Sequence, residues 1–398
     1  MQKSSIIKFC SFLLITSLLI PACKLEKKRI KTGAERVDQY IPLLKGKNLA
    51  VLANHTSLIA NTHLIDSLIA LNINLVSIIF TPEHGFRGNN DAGEYTENYI
   101  DGQTGIKVVS LYGEKLKPEK EDLTGIDIVI VDLQDVGARF YTYISTMHYM
   151  MEACAENGVD LIVFDRPNPN GFYIDGPVLD PDYKSFVGMH PVPIVHGMTI
   201  GEYAKMINGE GWLNNGVECS LKIIECENYT HNSYYEIPVK PSPNLPNMTS
   251  ILLYPGLCLF EGSIVSIGRG TDYPFQVIGH PDFPGKEFFF KPVSIPGASK
   301  YPKLEGEICY GIDLREMEYE HFRESKKIEL SYLISFYNEL KTGEKFFNSY
   351  FDKLAGTDVL RKQILSGETE SEIRKSWETG IKDFKTKRKQ YLLYKDFE

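Results

Sequence analysis

Ile126-Asp-Ile-Val-Ile-Val131 runs without a break into Asp132-Leu-Gln-Asp-Val-Gly-Ala-Arg139. A short Val/Ile run of this kind reads as a strand buried on both faces, the habit of parallel sheets covered by helices. The polar, glycine-containing knot that follows is where such a strand stops. Four other stretches repeat the pattern. Leu49-Ala-Val-Leu-Ala53 meets Asn54-His-Thr-Ser57, and Leu75-Val-Ser-Ile-Ile-Phe80 meets Thr81-Pro-Glu-His-Gly-Phe-Arg-Gly88. Leu161-Ile-Val-Phe164 meets Asp165-Arg-Pro-Asn-Pro169, and Val192-Pro-Ile-Val195 meets His196-Gly-Met-Thr199.

Helical spacing alternates with these runs. Residues 62–71 place Leu64, Ile65, Leu68 and Leu71 on one side, and residues 142–157 do the same with Ile144, Met147, Met151 and Ala155. Thr199 precedes a helical stretch with Glu202 three residues on, the spacing of a capping box. Lys107-Val-Val-Ser-Leu111 and residues 220–226 read as further strands. The alternation predicts an α/β protein with a doubly wound parallel sheet, whose ligand crevice lies outside the carboxyl ends of the strands.

The chain has 398 residues, comfortable for two domains. Near residue 215 the style changes, and Ile237-Pro-Val-Lys-Pro-Ser-Pro-Asn-Leu-Pro246 must be loop or sheet edge, because proline cannot donate to a ladder. Helical patterns return over 330–341 and 370–391. The expected division is a first domain over 39–215 and a smaller α/β domain over 216–398.

The first residues read as an address. Lys3 and Lys8 precede a short apolar stretch that ends in Ile20-Pro-Ala-Cys23, which looks like a bacterial lipobox. Residues 1–22 are then an export signal, Cys23 the lipidated residue, and 23–38 a basic tether. The expected location is the bacterial envelope, on a lipoprotein held to a membrane through Cys23. Loss of Lys3 and Lys8 takes the formal charge from -9 to -11, so nothing draws the chain to nucleic acid. Cys154, Cys219, Cys226, Cys258 and Cys309 show no repeated spacing, which signals neither a disulfide framework nor a zinc knot.

Catalytic candidates gather at the expected strand ends. Glu83, in a turn fixed by Pro82 and two glycines, sits where a partly desolvated carboxyl can serve as general acid, with His84 and Arg87 to orient it or to hold an anionic group. Asp132 and Asp135 compete for the next strand end, beside Gln134 and Arg139, and Tyr141 and Tyr143 offer faces to a sugar ring. Asp165 and Arg166 occupy another end, Asn54 and His55 the first, and His196 the last. His55, His84, His196, Asp132 and Asp165 are possible metal ligands, but no His-Glu-x-x-His or paired-cysteine spacing supports a metal. Nucleotide-binding glycine motifs and a Gly-x-Ser-x-Gly elbow are also absent from the sequence. An exported two-domain hydrolase with a carboxyl-rich, arginine-bearing cleft remains, which suits glycoside hydrolysis of a sugar that carries a carboxylate.

The blocks Pro82-Glu-His-Gly-Phe-Arg-Gly88, Ser110-Leu-Tyr-Gly113, Asp132 to Tyr143, Asp165-Arg-Pro-Asn-Pro169, His196-Gly-Met-Thr199, Pro241-Ser-Pro-Asn244 and Gly268-Arg-Gly-Thr271 resemble those of the exo-β-N-acetylmuramidases (NamZ, formerly the DUF1343 domain of unknown function). The resemblance implies release of terminal N-acetylmuramic acid from the non-reducing ends of peptidoglycan fragments. It also implies a Rossmann-like first domain, a cleft between the domains, and no cofactor or metal. Glu83 matches the family's proposed catalytic glutamate. Arg87, Arg139, Arg166 and Arg269 become candidates for the lactyl carboxylate, with Asn244 and Thr271 in the matching blocks and Glu261 in the stretch before Gly268. The second catalytic group is left open among Asp132, Asp135, Asp165, Glu261 and the substrate's own acetamido oxygen. Glu261-Gly-Ser-Ile-Val-Ser-Ile-Gly268 departs from the family in carrying Ile264 and Ile267, which cannot hydrogen-bond a sugar. Two other readings compete: a non-catalytic lipoprotein that binds muropeptides, and a metal-dependent amidase or esterase.

Overall fold

The computed structural model describes residues 28–71, 75–87 and 97–398. The expected signal segment and Cys23 lie outside the described residues. Twelve strands are present among them: β1 Asn48–Ala53, β2 Leu58–Ile59, β3 Thr62–His63, β4 Leu75–Thr81, β5 Tyr99–Ile100, β6 Lys107–Ser110, β7 Ile128–Asp132, β8 Asp160–Phe164, β9 Leu221–Ile224, β10 Val277–His280, β11 Phe289–Phe290 and β12 Cys309–Asp313. The main sheet runs β5-β6-β4-β1-β7-β8-β9, and every pairing in it is parallel except β5 with β6. Counted in chain order, its parallel strands lie third, second, first, fourth, fifth, sixth. That is the Rossmann order, in which the chain reverses its direction of travel beside the first strand.

The apolar runs explain the sheet. Leu49 to Ala53 in β1 and Val129 to Val131 in β7 are fully buried. One face is covered by α1 (Val37–Leu44) and α2 (Leu64–Ala70), through Tyr40, Leu44, Leu64 and Leu68. The other is covered by α3 (Tyr143–Asn157) and α4 (Ile200–Gly209), through Ile144, Met147, Met151, Tyr203 and Ile207. Each such side chain contributes roughly 1.5–3 kcal/mol when taken fully out of water. The capping box forms as its spacing predicts: Thr199 Oγ1 accepts from the Glu202 amide at 3.2 Å, and Glu202 Oε2 accepts from the Thr199 amide at 2.9 Å.

Three expectations meet a different structure. Val192 to Val195 forms no strand, only single bridges from Val195 to Ala138 and Asp175. Pro193 removes a donor from that run, and β9 takes the last place in the sheet instead. Because β9 pairs with β8, residues 221–224 belong with the first sheet although they follow the expected boundary at 215. Residues 31–36, expected as tether, are tied to the same domain, where Lys31 bridges Glu227 and the Gly33 amide donates to Asp165 O at 2.8 Å. A Cβ on Gly33 would meet Ile224 O at 2.2 Å, so only glycine permits this approach.

The second lobe opens with α5 (Met248–Leu257) and holds the antiparallel sheet β10-β12-β11. Helices α6 (Tyr319–Ser325), α7 (Ser331–Leu340), α8 (Phe351–Ala355), α9 (Val359–Leu365) and α10 (Glu370–Arg388) complete it. Beyond α10 the chain returns to the first domain, where the Tyr394 hydroxyl donates to Asp165 Oδ2 at 2.6 Å.

Candidate active site

Strand β4 ends at Thr81, and Pro82 turns the chain so that Glu83 leaves the sheet edge half-buried. The turn passes through left-handed backbone at His84 (φ 72°) and Gly85 (φ 74°). A non-glycine residue seldom accepts that region, so the strained His84 fixes where Glu83 is presented. Two hydroxyls, from the start of α3 and from the segment after β6, then grip the carboxylate. The Thr142 hydroxyl, at the N-terminus of α3, donates to Glu83 Oε2 at 2.9 Å. The Tyr112 hydroxyl, two residues past β6, also hydrogen-bonds Glu83; burial first, and the Glu83 charge second, push this phenol above its ordinary range.

The second lobe brings Glu261 and Arg269, joined by Arg269 Nε to Glu261 Oε1 at 2.5 Å. Lys303 ties the turn that carries Glu261: its Nζ donates to the carbonyls of Phe260 at 2.9 Å, Glu261 at 3.4 Å and Ser263. Burial pulls the Lys303 ammonium down to about 8. Glu83, Tyr112, Thr142, Glu261, Arg269 and Lys300 all line one open cavity of about 580 Å³, inside the range usual for small-ligand sites. Tyr301 stands at the same cavity with 82% of its surface exposed. A recess of about 60 Å³ shares Glu83 and Arg269 and adds His84, Tyr141 and Asn244.

The remaining candidates hold the structure elsewhere. Asp132 accepts from Arg166 Nε at 2.6 Å and Nη2 at 2.9 Å, and both residues are buried. Asp165 accepts from the Thr199 hydroxyl, the Gly201 amide and Tyr394, and burial pushes its carboxyl up to about 7. Asp135 accepts from the Gly137 amide at 2.6 Å and is likewise raised to about 7 by burial. Arg87 is occupied by Asp101 at 3.0 Å. Arg139 donates to the carbonyls of Pro177, Val192, Leu354 and Ala355, and burial lowers it to about 9. It thus pins α8 to the first domain. His196 accepts from the Met198 amide and is held neutral, its pKa lowered to about 3 chiefly by burial.

Several polar candidates shape the loops around the cavity. Tyr141 and Tyr143 donate to Pro241 O at 2.8 and 3.1 Å, and Asn54 Nδ2 donates to the Tyr143 hydroxyl at 2.7 Å. His55 Nε2 meets Lys240 O at 2.8 Å. These bonds pull the proline-rich loop onto the strand ends, and Asn244 Nδ2 carries the hold onward to Ala298 O at 2.7 Å. Gln134 spans the carbonyls of Asp135 and Pro167, and Thr271 closes its own turn on Gly268 O. Ile264 and Ile267 are core-packed rather than cavity-lining. Of the residues that sequence reasoning left out, Tyr112 and Thr142 carried a signal, since both follow a strand within quoted motifs. Lys300 and Tyr301 had none: a loop with no periodicity is brought to the cavity by Asn244 and by the Val293 amide on Gly270 O.

Comparison with known proteins agrees over both lobes. The N-terminal model of exo-β-N-acetylmuramidase NamZ matches residues 49–249, and the C-terminal model matches residues 252–394. The peptidoglycan β-N-acetylmuramidase NamZ of Bacillus subtilis (strain 168) is 37% identical over 389 residues, 93% of this chain and 92% of that protein. A solved DUF1343-family protein of Bacteroides fragilis NCTC 9343 superposes with a TM-score of 0.86 at 48% identity, covering 92% of this chain and 99% of the other. A second from the same organism gives 0.74 at 29% identity with the same coverage. The chain belongs to the NamZ exo-β-N-acetylmuramidase family.

Proposed function

We propose that this protein is an exo-acting glycoside hydrolase that releases terminal N-acetylmuramic acid from the non-reducing ends of peptidoglycan fragments, with Glu83 as general acid. The observation that carries the assignment is Glu83 itself: a half-buried carboxyl at a strand end, oriented by Thr142 and Tyr112, and facing an open cavity. In hydrolysis the glycosidic C–O bond breaks, the Glu83 proton passes to the leaving oxygen, and a water oxygen adds to the anomeric carbon. Glu261 is the other carboxylate of the described cavity, and its pairing with Arg269 suits it to steady positive charge at that carbon or to take the water's proton.

The lactyl carboxylate needs a cation. Arg87, Arg139 and Arg166 are taken up by Asp101, backbone carbonyls and Asp132. That leaves Arg269, shared with Glu261, and Lys300 as the cations lining the described cavity. The soluble protein without residues 1–23, incubated with a chromogenic β-N-acetylmuramide and the matching glucosaminide, should hydrolyse the muramide. Turnover of the glucosaminide alone, or of neither, defeats the assignment. Cys23 is proposed as the lipid attachment point in the envelope; Cys23→Ser should move the protein from the detergent phase to the aqueous phase, and unchanged partitioning would remove the anchor.

A further inference from the structure

A second cavity of about 790 Å³ opens beyond the carboxyl ends of β8 and β9, beside the β2–β3 hairpin that follows β1, and shares no lining residue with the Glu83 cavity. We propose that it is a non-catalytic saccharide site, which takes a neutral N-acetylhexosamine unit. It lies at the sheet edge next to the strand-order reversal, where open α/β sheets ordinarily bind ligands. The Glu83 cavity lies elsewhere along that edge, at the ends of β4 and β6, so the proposed chemistry leaves this one unused.

Arg166 marks the site. It lines the cavity although only 3% of its surface is exposed. Its Nε and Nη2 are committed to Asp132, and Nη2 also to Leu58 O at 3.1 Å, whereas Nη1 donates to no acceptor among the described residues. That edge is not sealed in the interior but opens on the cavity, so a ligand oxygen can take the place of water there. Asp132 already balances the charge, so a neutral carbonyl or hydroxyl oxygen satisfies that edge as well as an anion would. The rest of the wall balances Lys28 and Arg29 against Glu35 and Glu236 and adds neutral polar groups. The exposed amides of Asn61 and Asn232 form no hydrogen bond with a described protein group. Tyr234, 46% exposed, is braced by an edge contact with Tyr319 at 4.6 Å between ring centroids, which presents a fixed aromatic surface. Amides, an N–H edge and a braced tyrosine suit a sugar bearing hydroxyl and acetamido groups.

That such a unit belongs to the glycan strand whose end enters the Glu83 cavity rests on the proposed function; the chemistry of the wall does not. The test uses chitotriose, a neutral N-acetylglucosamine trimer, titrated calorimetrically into the protein and into the Asn232→Ala/Tyr234→Ala double variant. Both changes are on exposed side chains away from the catalytic cavity. Chitotriose should bind the parent protein, and its affinity should fall about tenfold in the double variant, the loss of about 1.4 kcal/mol. Turnover of the chromogenic muramide should stay within about twofold, well under that 1.4 kcal/mol step. No binding by the parent, equal binding by both proteins, or an equal fall in muramide turnover would each overturn the second site. Failure of the parent to cleave the muramide strikes the proposed function instead, and leaves the titration readable.

Discussion

The ends of β7 and β8 carry Asp132, Asp165 and Arg166; the ends of β4 and β6, with the facing lobe, carry Glu83, Tyr112, Glu261 and Arg269. The residue types are alike and the places in the sheet are equivalent. What separates them is the partner each side chain finds. Asp132 has a bidentate arginine, and Asp165 has a helix start and Tyr394, so both are consumed inside the protein. Glu83 is held by hydroxyls of Thr142 and Tyr112 and has an open cavity in front of it. A strand end supplies the location of a site, but an unfilled space beside a held carboxyl is what leaves chemistry for a substrate.

The comparison breaks first at its two carboxyls. Glu83→Gln should lower kcat/KM on a natural disaccharide by about 10²–10⁴, the usual worth of a positioned general acid, with the fold intact by circular dichroism. An activated aryl leaving group needs less protonation, so the loss on a nitrophenyl muramide should be smaller. Equal losses on both substrates would take Glu83 out of the acid role. Asp132→Ala should do the reverse: it strands Arg166 in the interior and costs roughly 3–5 kcal/mol of stability in urea unfolding. If stability falls by less than about 1 kcal/mol, far below what a broken buried pair costs, while activity disappears, then Asp132 belongs with the chemistry.

This contrast also explains what the sequence could and could not reveal. Unalternated apolar runs announced β1, β4, β7 and β8, because burial on both faces leaves no room for polar residues. Val192 to Val195 has the same composition, yet prolines and the pairing of β9 with β8 keep it outside the sheet. Glu83 was legible because a proline–glycine turn after a buried strand is local information. The standing of Asp132, Asp165, Arg87 and Arg139 was not, since each depends on a partner or carbonyl brought near by the fold: Asp132–Arg166 is 34 residues apart in the chain, and Arg139–Ala355 is 216. Lys300 reaches the cavity on a loop held by the Asn244 bond to Ala298 and the Val293 amide on Gly270 O, and no residue pattern encodes those steps.

Lys300 sharpens the comparison on its cationic side. If it reads the lactyl carboxylate at a solvent-exposed rim, Lys300→Ala should raise KM for the muramide about tenfold, near 1.4 kcal/mol, with kcat little changed. Lys300→Arg should recover most of that loss. A fall in kcat with KM constant would mean that Lys300 acts on the reacting centre rather than on the carboxylate.

The smallest effect concerns Lys303, the half-buried cation behind the Glu261 turn. Burial places its folded pKa near 8, below the ordinary 10.5. Between those values the unfolded chain holds a proton that the folded one has released, so this group makes stability rise with pH from about 8 to 10.5. Activity should move the other way. The proton that leaves Lys303 is one of those donated to the carbonyls of Phe260, Glu261 and Ser263, and the turn that positions Glu261 against Arg269 loosens without it. A falling alkaline limb centred near pH 8 is therefore expected in kcat/KM while the protein remains folded. Lys303→Arg stays protonated through that window and should shift the limb upward. A limb that stays in place in this variant would assign the alkaline transition to another group and separate Lys303 from the working of the cavity.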